Sequence, residues 1–208
     1  KTCASIKISE NFTPYFDKSV LIICPSSLEK NYRKELFDID KIDRNSRTYS
    51  GCHGQMYLDN IEEWYKLSRV ELKKRVNKLI DTNYSFYGFI KLVNDFDKMR
   101  ENSIKKYGKK DSKSLYDFYL QIKELYSNRV IIIDEVHNLR VTGNDLDITT
   151  KRLPKILETI LTYGNNIRLV LLSATPMFDK ASELELLMKL LHINDKHYKN
   201  ENGVIEFK

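Results

Sequence analysis

Two adjacent carboxylates close an apolar run: Val130, Ile131, Ile132 and Ile133 lead directly into Asp134 and Glu135, with Val136 and His137 behind them. Such a run reads as a strand covered on both faces, and its end falls at the carboxyl edge of a sheet, where open α/β sheets bind ligands. Asp134 could hold Mg²⁺ there through water, because Mg²⁺ prefers oxygen ligands and keeps much of its hydration. Glu135 could accept a proton from a water attacking a γ-phosphate. Taken alone, the pair equally suits an acidic turn after any strand. A second polar cluster, Ser173-Ala174-Thr175-Pro176, closes the apolar run Leu169 to Leu172 and lies 36 residues beyond His137. Parallel neighbouring strands would bring its hydroxyls beside the carboxylates.

The elements that must position these groups are visible as periodicities. A third apolar run, Val20 to Cys24, like the other two, does not alternate with polar residues, which suits a parallel sheet flanked by helices. A shorter strand is predicted over Tyr84 to Tyr87 and another over Val204 to Phe207. Helical stripes run through Leu58, Ile61 and Tyr65, then Leu72, Val76 and Leu79; through Leu115, Phe118, Tyr119 and Ile122; through Ile156, Leu157, Ile160 and Leu161; and through Leu184, Leu187, Met188 and Leu191. Pro154 suits a first helical turn, with Thr149 and Thr150 as caps. Strands alternating with amphipathic helices mean an α/β layer fold. The stretch 95–128, carrying Lys98, Arg100, Lys105, Lys106, Lys109, Lys110 and Lys113 among few apolar residues, reads as an exposed excursion, either a solvated face or a nucleic-acid contact.

Composition narrows the class. The chain has 208 residues, enough for one domain with an ample core, and 35 Lys+Arg against 29 Asp+Glu give a net charge of +6, which permits a polyanionic partner without requiring one. No run approaches the roughly 20 apolar residues of a membrane span and no signal-peptide pattern opens the chain, so an intracellular, soluble protein with no membrane partner is expected. Cys3, Cys24 and Cys52 show no Cys-x-x-Cys spacing, so neither disulfides nor structural metal are expected, and Cys52-His53 is too short a constellation for zinc. His53, His192 and His197 read as surface or core residues, and Trp64 and the many tyrosines as core and surface packing. Tyr107 and Tyr116, beside lysines, could stack bases.

With Asp134-Glu135-Val136-His137 and Ser173-Ala174-Thr175 each at the end of a buried run, the sequence resembles superfamily 2 helicases and translocases of the DEAD/DEAH type. In that family the first is motif II, the second motif III, which links the nucleotide to the nucleic-acid site. The resemblance implies a RecA-like three-layer sandwich, with a mainly parallel sheet flanked by helices, binding ATP and Mg²⁺. It makes Lys1-Thr2 the end of a Walker A loop, Lys1 on phosphate and Thr2 with Asp134 on Mg²⁺, although the preceding Gly-x-x-x-x-Gly is absent. The chain is therefore expected to be a piece of a longer protein, cut within motif I, spanning the first RecA-like domain over 1–208 with 95–128 as a basic insertion. Glu135 would act on the attacking water, and His137, Ser173 and Thr175 would transmit nucleotide state. Pro25, Ser26 and Ser27, with Lys30 and Arg33 on the next helix, resemble motif Ia, which touches the nucleic-acid backbone; capping of that helix by Ser26 or Ser27 is the equal alternative. Tyr84 to Asn94 resembles motif Ib more loosely.

Within the superfamily, Asp134 to Arg140, Ser173 to Phe178 and the aromatic Ib segment are most similar to helicase-type triphosphatases of large cytoplasmic DNA viruses, including the small subunit of the poxvirus early transcription factor. Leu190 to Asp195 also resembles how those proteins continue. That resemblance implies a role in viral transcription, in host cytoplasm or virion. Nucleic acid is the expected partner, DNA in preference to RNA, with a second RecA-like domain supplying arginine fingers and RNA polymerase or other transcription-factor subunits as further partners. The chain by itself is expected to turn over almost no ATP. Two rival readings stay open: a non-catalytic helicase-like scaffold in a transcription or packaging assembly, and an α/β nuclease binding metal directly at Asp134 and Glu135, which leaves Ser-Ala-Thr unexplained.

Overall fold

The computed structural model describes residues 1–139, 148–176 and 181–195. Four strands, β1 (Val20–Ile23), β4 (Tyr84–Tyr87), β5 (Arg129–Asp134) and β6 (Ile167–Leu172), form an all-parallel sheet in the order β4-β1-β5-β6. Leu21 pairs with Ser85 on one side and Ile131 on the other, and Asp134 pairs with Leu172, so all carboxyl ends share one edge. A separate two-stranded antiparallel ladder, β2 (Ile42–Asp43) with β3 (Thr48–Tyr49), lies apart from it.

Alternate residues of the central strands feed two cores, as the two-residue strand period requires. Leu21, Ile23, Ile131 and Ile133 pack against the helices α5 (Phe89–Tyr107), α6 (Ser112–Tyr126), α7 (Ile148–Tyr163) and α8 (Ala181–Asp195). Val20, Ile22, Val130 and Ile132 pack against α1 (Thr2–Phe12), α2 (Glu29–Leu36), α3 (Gly54–Asp59) and α4 (Arg69–Asn83). This is the three-layer α/β sandwich of RecA-like type that the alternation of apolar runs and helical stripes implies. The chain leaves β1 toward one helical layer and β5 toward the other, so the crevice between their ends is a topological switch point. No described helix is long and apolar enough to cross a membrane.

Local signals account for the helix ends. Ser68 caps α4 by accepting from the Glu71 N–H at 3.2 Å, and Asp111 caps α6 by accepting from the Lys113 N–H at 2.8 Å. α5 stops at Gly108, whose φ of +92° suits glycine, with Lys105 and Lys106 in its last turn against the helix dipole.

The fold corrects several expectations. The first stripe is not one helix: α3 ends at Asp59, and Ile61 and Tyr65 lie beyond it, Tyr65 within a single 3₁₀ turn. Pro154 sits inside α7, which begins at Ile148, so Thr149 and Thr150 lie within the helix rather than ahead of it. On α6 Leu115 is 40% exposed, while Phe118, Ile122 and Tyr126 are buried. On α8 the buried stripe is Leu187, Leu190 and Ile193, and Leu184 and Met188 are exposed. Segment 95–128 is not an excursion but most of a helical hairpin, α5 against α6, that packs Phe96, Met99 and Phe118 onto the sheet. Across the hairpin Asp117 accepts from Ser103 of α5 at 2.7 Å, and within α6 it accepts from Gln121 at 2.7 Å; the Ser103 hydroxyl first among these holds the Asp117 carboxyl below its usual range. Trp64 is buried. The strand predicted over Val204 to Phe207 lies outside the described residues, as do Arg140, Met177, Phe178 and His197.

Candidate functional site

Asp134 ends β5 and is almost fully buried; it pairs in register with Leu172, the last residue of β6. One carboxylate oxygen, Oδ1, accepts the Glu135 N–H at 2.8 Å, and Oδ2 accepts the Tyr32 hydroxyl at 3.2 Å from α2. Burial pushes the Tyr32 phenol well above its usual range, aided by the Asp134 charge, so it stays protonated and donates at any ordinary pH.

Glu135 leaves the strand with φ +54°, a left-handed turn that costs a non-glycine residue roughly 1–2 kcal/mol. Its carbonyl accepts the Asn138 N–H at 2.9 Å, which closes the 3₁₀ turn Val136–Leu139 behind it. The turn aims the side chain two ways. Oε1 accepts from Lys1 Nζ at 2.6 Å, and Oε2 lies 3.1 Å from His137 Nδ1. The same nitrogen is 3.3 Å from Ser173 Oγ, which in turn accepts the Thr175 N–H at 3.1 Å. A chain of contacts therefore runs Lys1–Glu135–His137–Ser173–Thr175 across the ends of β5 and β6. Lys1 also stands 3.6 Å from Asp134 Oδ1. The hydrogen bond to Glu135, with Asp134 adding, raises the Lys1 pKa against the opposing effect of burial, so its pairing persists through the usual lysine range and is lost only as pH rises above it.

The structure thus brings together Lys1, Asp134, Glu135, His137, Ser173 and Thr175, drawn from the two chain regions and the terminus that the motifs single out. Thr2 is the first residue of α1, next to Lys1. Pro25, Ser26, Ser27 and Lys30 form a separate group beyond the end of β1. Ser26 and Ser27 are exposed and neither side chain caps α2, which removes capping as their explanation. Gly88, just after β4, abuts Ser26: a Cβ there would lie 2.6 Å from Ser26 Oγ, so a larger residue would require the Ser26 hydroxyl to turn aside.

Cys24, at the end of β1, is buried, and burial raises its thiol to about 12, with Asp134 and Glu29 contributing. At pH 8 the group is therefore an inert thiol. Iodoacetamide is expected to spare Cys24 in the native protein and alkylate it in denaturant; rapid native labelling by mass spectrometry would mean that β1 is not sealed.

Sequence reading missed Tyr32 as the donor to Asp134; its only signal was a tyrosine on the helix after the motif Ia turn. It also missed a second cluster. Contrary to the expectation of no disulfide, Cys3 and Cys52 are joined, with Cα atoms 6.2 Å apart at a sequence separation of 49. His53, expected only as a surface or core residue, is beside them, with Nδ1 2.7 Å from Glu10 Oε1. No local spacing announces a pairing closed by the tertiary fold.

The site belongs to the class of α/β sandwiches with acidic and hydroxyl groups gathered at a parallel-sheet edge. No family model matches the chain, and no solved structure does. Among curated proteins it is 30% identical over 192 residues to a protein of Acanthamoeba polyphaga mimivirus provisionally named an ATP-dependent RNA helicase. A second mimivirus protein, with the same provisional name, is 25% identical over 219 residues, and an uncharacterized helicase of the killer plasmid pGKL-2 of Kluyveromyces lactis is 28% identical over 200. These matches cover 92%, 99% and 92% of this chain but only 27%, 17% and 27% of the relatives. The chain is a distant relative of proteins named as helicases in a virus and on a killer plasmid, and spans about a quarter or less of their length.

Proposed function

We propose that this chain is the ATP-binding portion of a nucleic-acid-dependent ATPase, a superfamily 2 helicase or translocase of the kind that serves viral transcription. The observation that carries the reading is the linked set Lys1–Glu135–His137–Ser173, which joins a phosphate-binding type of group, an acid–base group and the adjacent strand end in one network. The donors suit the expected ligands: Asp134, Glu135 and Thr2 offer hard oxygen, which Mg²⁺ prefers, and Lys1 offers the ammonium that phosphate needs. Bound at Asp134 and Thr2, Mg²⁺ would neutralise charge developing on the phosphate oxygens.

In that reading Lys1 turns from the carboxylates to phosphate when nucleotide binds. Glu135, released from Lys1, is then free to orient the attacking water and take its proton. His137 keeps one nitrogen on Glu135 and Ser173, so a change at the carboxylate reaches the end of β6. Pro25, Ser26, Ser27 and Lys30, beyond the end of β1, would meet the nucleic-acid backbone.

The relatives named as RNA helicases favour an RNA track, whereas the resemblance to poxvirus transcription proteins favours DNA. Hydrolysis by the intact protein is measured with single-stranded DNA, duplex DNA and RNA. Stimulation by one of them supports the motor and identifies its track; a folded, intact protein with no turnover would support the scaffold reading. The basic tip of the α5–α6 hairpin is tested separately. Reversing Lys105, Lys106, Lys109 and Lys110 to Glu is expected to weaken nucleic-acid binding and reduce its salt slope by about 0.7–0.9 for each phosphate that is no longer neutralised. An unchanged slope would make the tip a solvated surface; one of its four charges, Lys106, is already paired with Asp117 at 3.3 Å.

A further inference from the structure

A second group of ligand-type side chains lies away from the carboxylates, where the start of α1 meets the loop that precedes α3. Cys3 Sγ, Cys52 Sγ and a ring nitrogen of His53 all lie within 4.8 Å of one another. His53 is 3% exposed, and the loop carrying it is tightly set. Gly51 and Gly54 press on the Tyr49 ring, and a Cβ at either would overlap that ring. The ring itself stacks on Phe37, and its hydroxyl accepts the Asp38 N–H at 2.7 Å.

The chemistry of the imidazole is the second observation. Glu10, farther along α1, holds Nδ1 at 2.7 Å, and a carboxylate there requires an N–H. In the neutral ring that leaves Nε2 as a bare lone pair. Among the described residues, the polar atom facing it is the Cys3 carbonyl oxygen at 3.5 Å, itself an acceptor. A proton on Nε2 satisfies that contact in the metal-free protein, and a cation bound at Nε2 would take its place. A buried histidine held at one nitrogen by a carboxylate, with a ring nitrogen and two sulfurs within 4.8 Å of one another, is also the arrangement that orients a metal-bound histidine.

We propose that, when Cys3 and Cys52 are reduced, Cys3, Cys52 and His53 bind one Zn²⁺, with Glu10 orienting His53 and water in the fourth position. The structure shows the oxidised pair. A dithiol reductant supplies two electrons and two protons to open the Cys3–Cys52 bond into two thiols, and Zn²⁺ then displaces both protons to give two thiolate ligands. Ligands of one tetrahedral zinc sit roughly 3.3–3.8 Å apart for bonds of about 2.0–2.3 Å, so the two sulfurs, bonded in the oxidised pair, must move apart by roughly 1.7 Å and the imidazole must come within the same spacing of both. Soft sulfur and imidazole suit zinc, whereas the hard oxygens at Asp134 suit Mg²⁺, so the two sites do not compete. Because Cys3 follows directly on Lys1 and Thr2, the ion fastens the first turn of α1 to the 50–54 loop.

The intact protein, reduced with a phosphine and held in excess Mg²⁺ to occupy oxygen sites, is titrated with Co²⁺ as a spectroscopic stand-in for zinc. The expected result is one equivalent bound with a thiolate-to-metal charge-transfer band, displaced by Zn²⁺ and absent in Cys52→Ser. Glu10→Gln, which keeps all three ligands, is expected to weaken binding about 10- to 100-fold. Circular dichroism checks that each variant is folded, and Glu10→Gln serves as the reading if Cys52→Ser is not. A reduced, folded protein that shows no such band, or that binds Co²⁺ equally well without Cys52, overturns the proposal and leaves the pair as a disulfide alone.

Discussion

Glu135→Gln in the intact protein is expected to lower nucleic-acid-stimulated ATP hydrolysis by about 10²- to 10⁴-fold, the usual contribution of a positioned acid–base group. The loss should fall on kcat. An amide cannot take the proton of the attacking water, but it keeps an oxygen for Lys1, which now bonds Glu135 Oε1 at 2.6 Å. Removing that carboxylate's charge frees Lys1 for phosphate, so KM for ATP should stay the same or fall. The substitution also leaves His137 Nδ1 facing an amide that can turn its own N–H toward it, where Oε2 now lies 3.1 Å away. Coupling to nucleic acid should weaken beyond the loss of chemistry, read as a smaller ratio of stimulated to basal rate. A variant with unchanged kcat would remove Glu135 from the reaction and turn the linked set into a structural ion pair.

Ile132→Ala is expected to cost about 2–5 kcal/mol, the range for truncating a buried aliphatic side chain in a well-packed core. Ile132 is fully buried in the middle of β5, flanked in register by Ile22 of β1 and Val170 of β6. At this chain length each kcal/mol moves the midpoint by about 2–4 °C, so the melting temperature should fall by roughly 4–20 °C. Val170→Ala is the control. Its position on the edge strand is only half-buried, so the loss there should be smaller. Equal losses at the two positions would mean that β6 is covered from outside in the intact protein; a negligible loss at Ile132 would contradict its place at the centre of the sheet.

How much of this was legible in advance follows from how far apart the interacting residues are. Val130 to Ile133 followed by Asp134 and Glu135 is a local pattern, and a buried strand has one end at which polar side chains can escape the core. The same holds for Leu169 to Leu172 and Ser173. Four strands and the positions of most helices were legible for this reason. The exact faces of some helices were not. α8 carries leucines at 184, 186, 187, 190 and 191, an apolar surface too wide to choose one stripe, and only contact with the sheet selects Leu187, Leu190 and Ile193. The lysines of 95–128 masked a hairpin because its apolar anchors, Phe96, Met99 and Phe118, are sparse and belong to two helices that bury them jointly. Pro154 carried a strong local preference for a first turn, yet α7 extends ahead of it.

The sequence by itself determined a parallel α/β sheet and which carboxylates and hydroxyls stand at its edge, because those depend on short runs and on neighbours along the chain. Only the tertiary structure decided that Lys1 reaches Glu135 across 134 positions, that Tyr32 seals Asp134, and that Cys3, Cys52, His53 and Glu10 converge. Each of those contacts joins segments whose separation along the chain carries no periodic signal. They form when burial of the two apolar layers holds α1, α2 and the 50–54 loop against the same sheet.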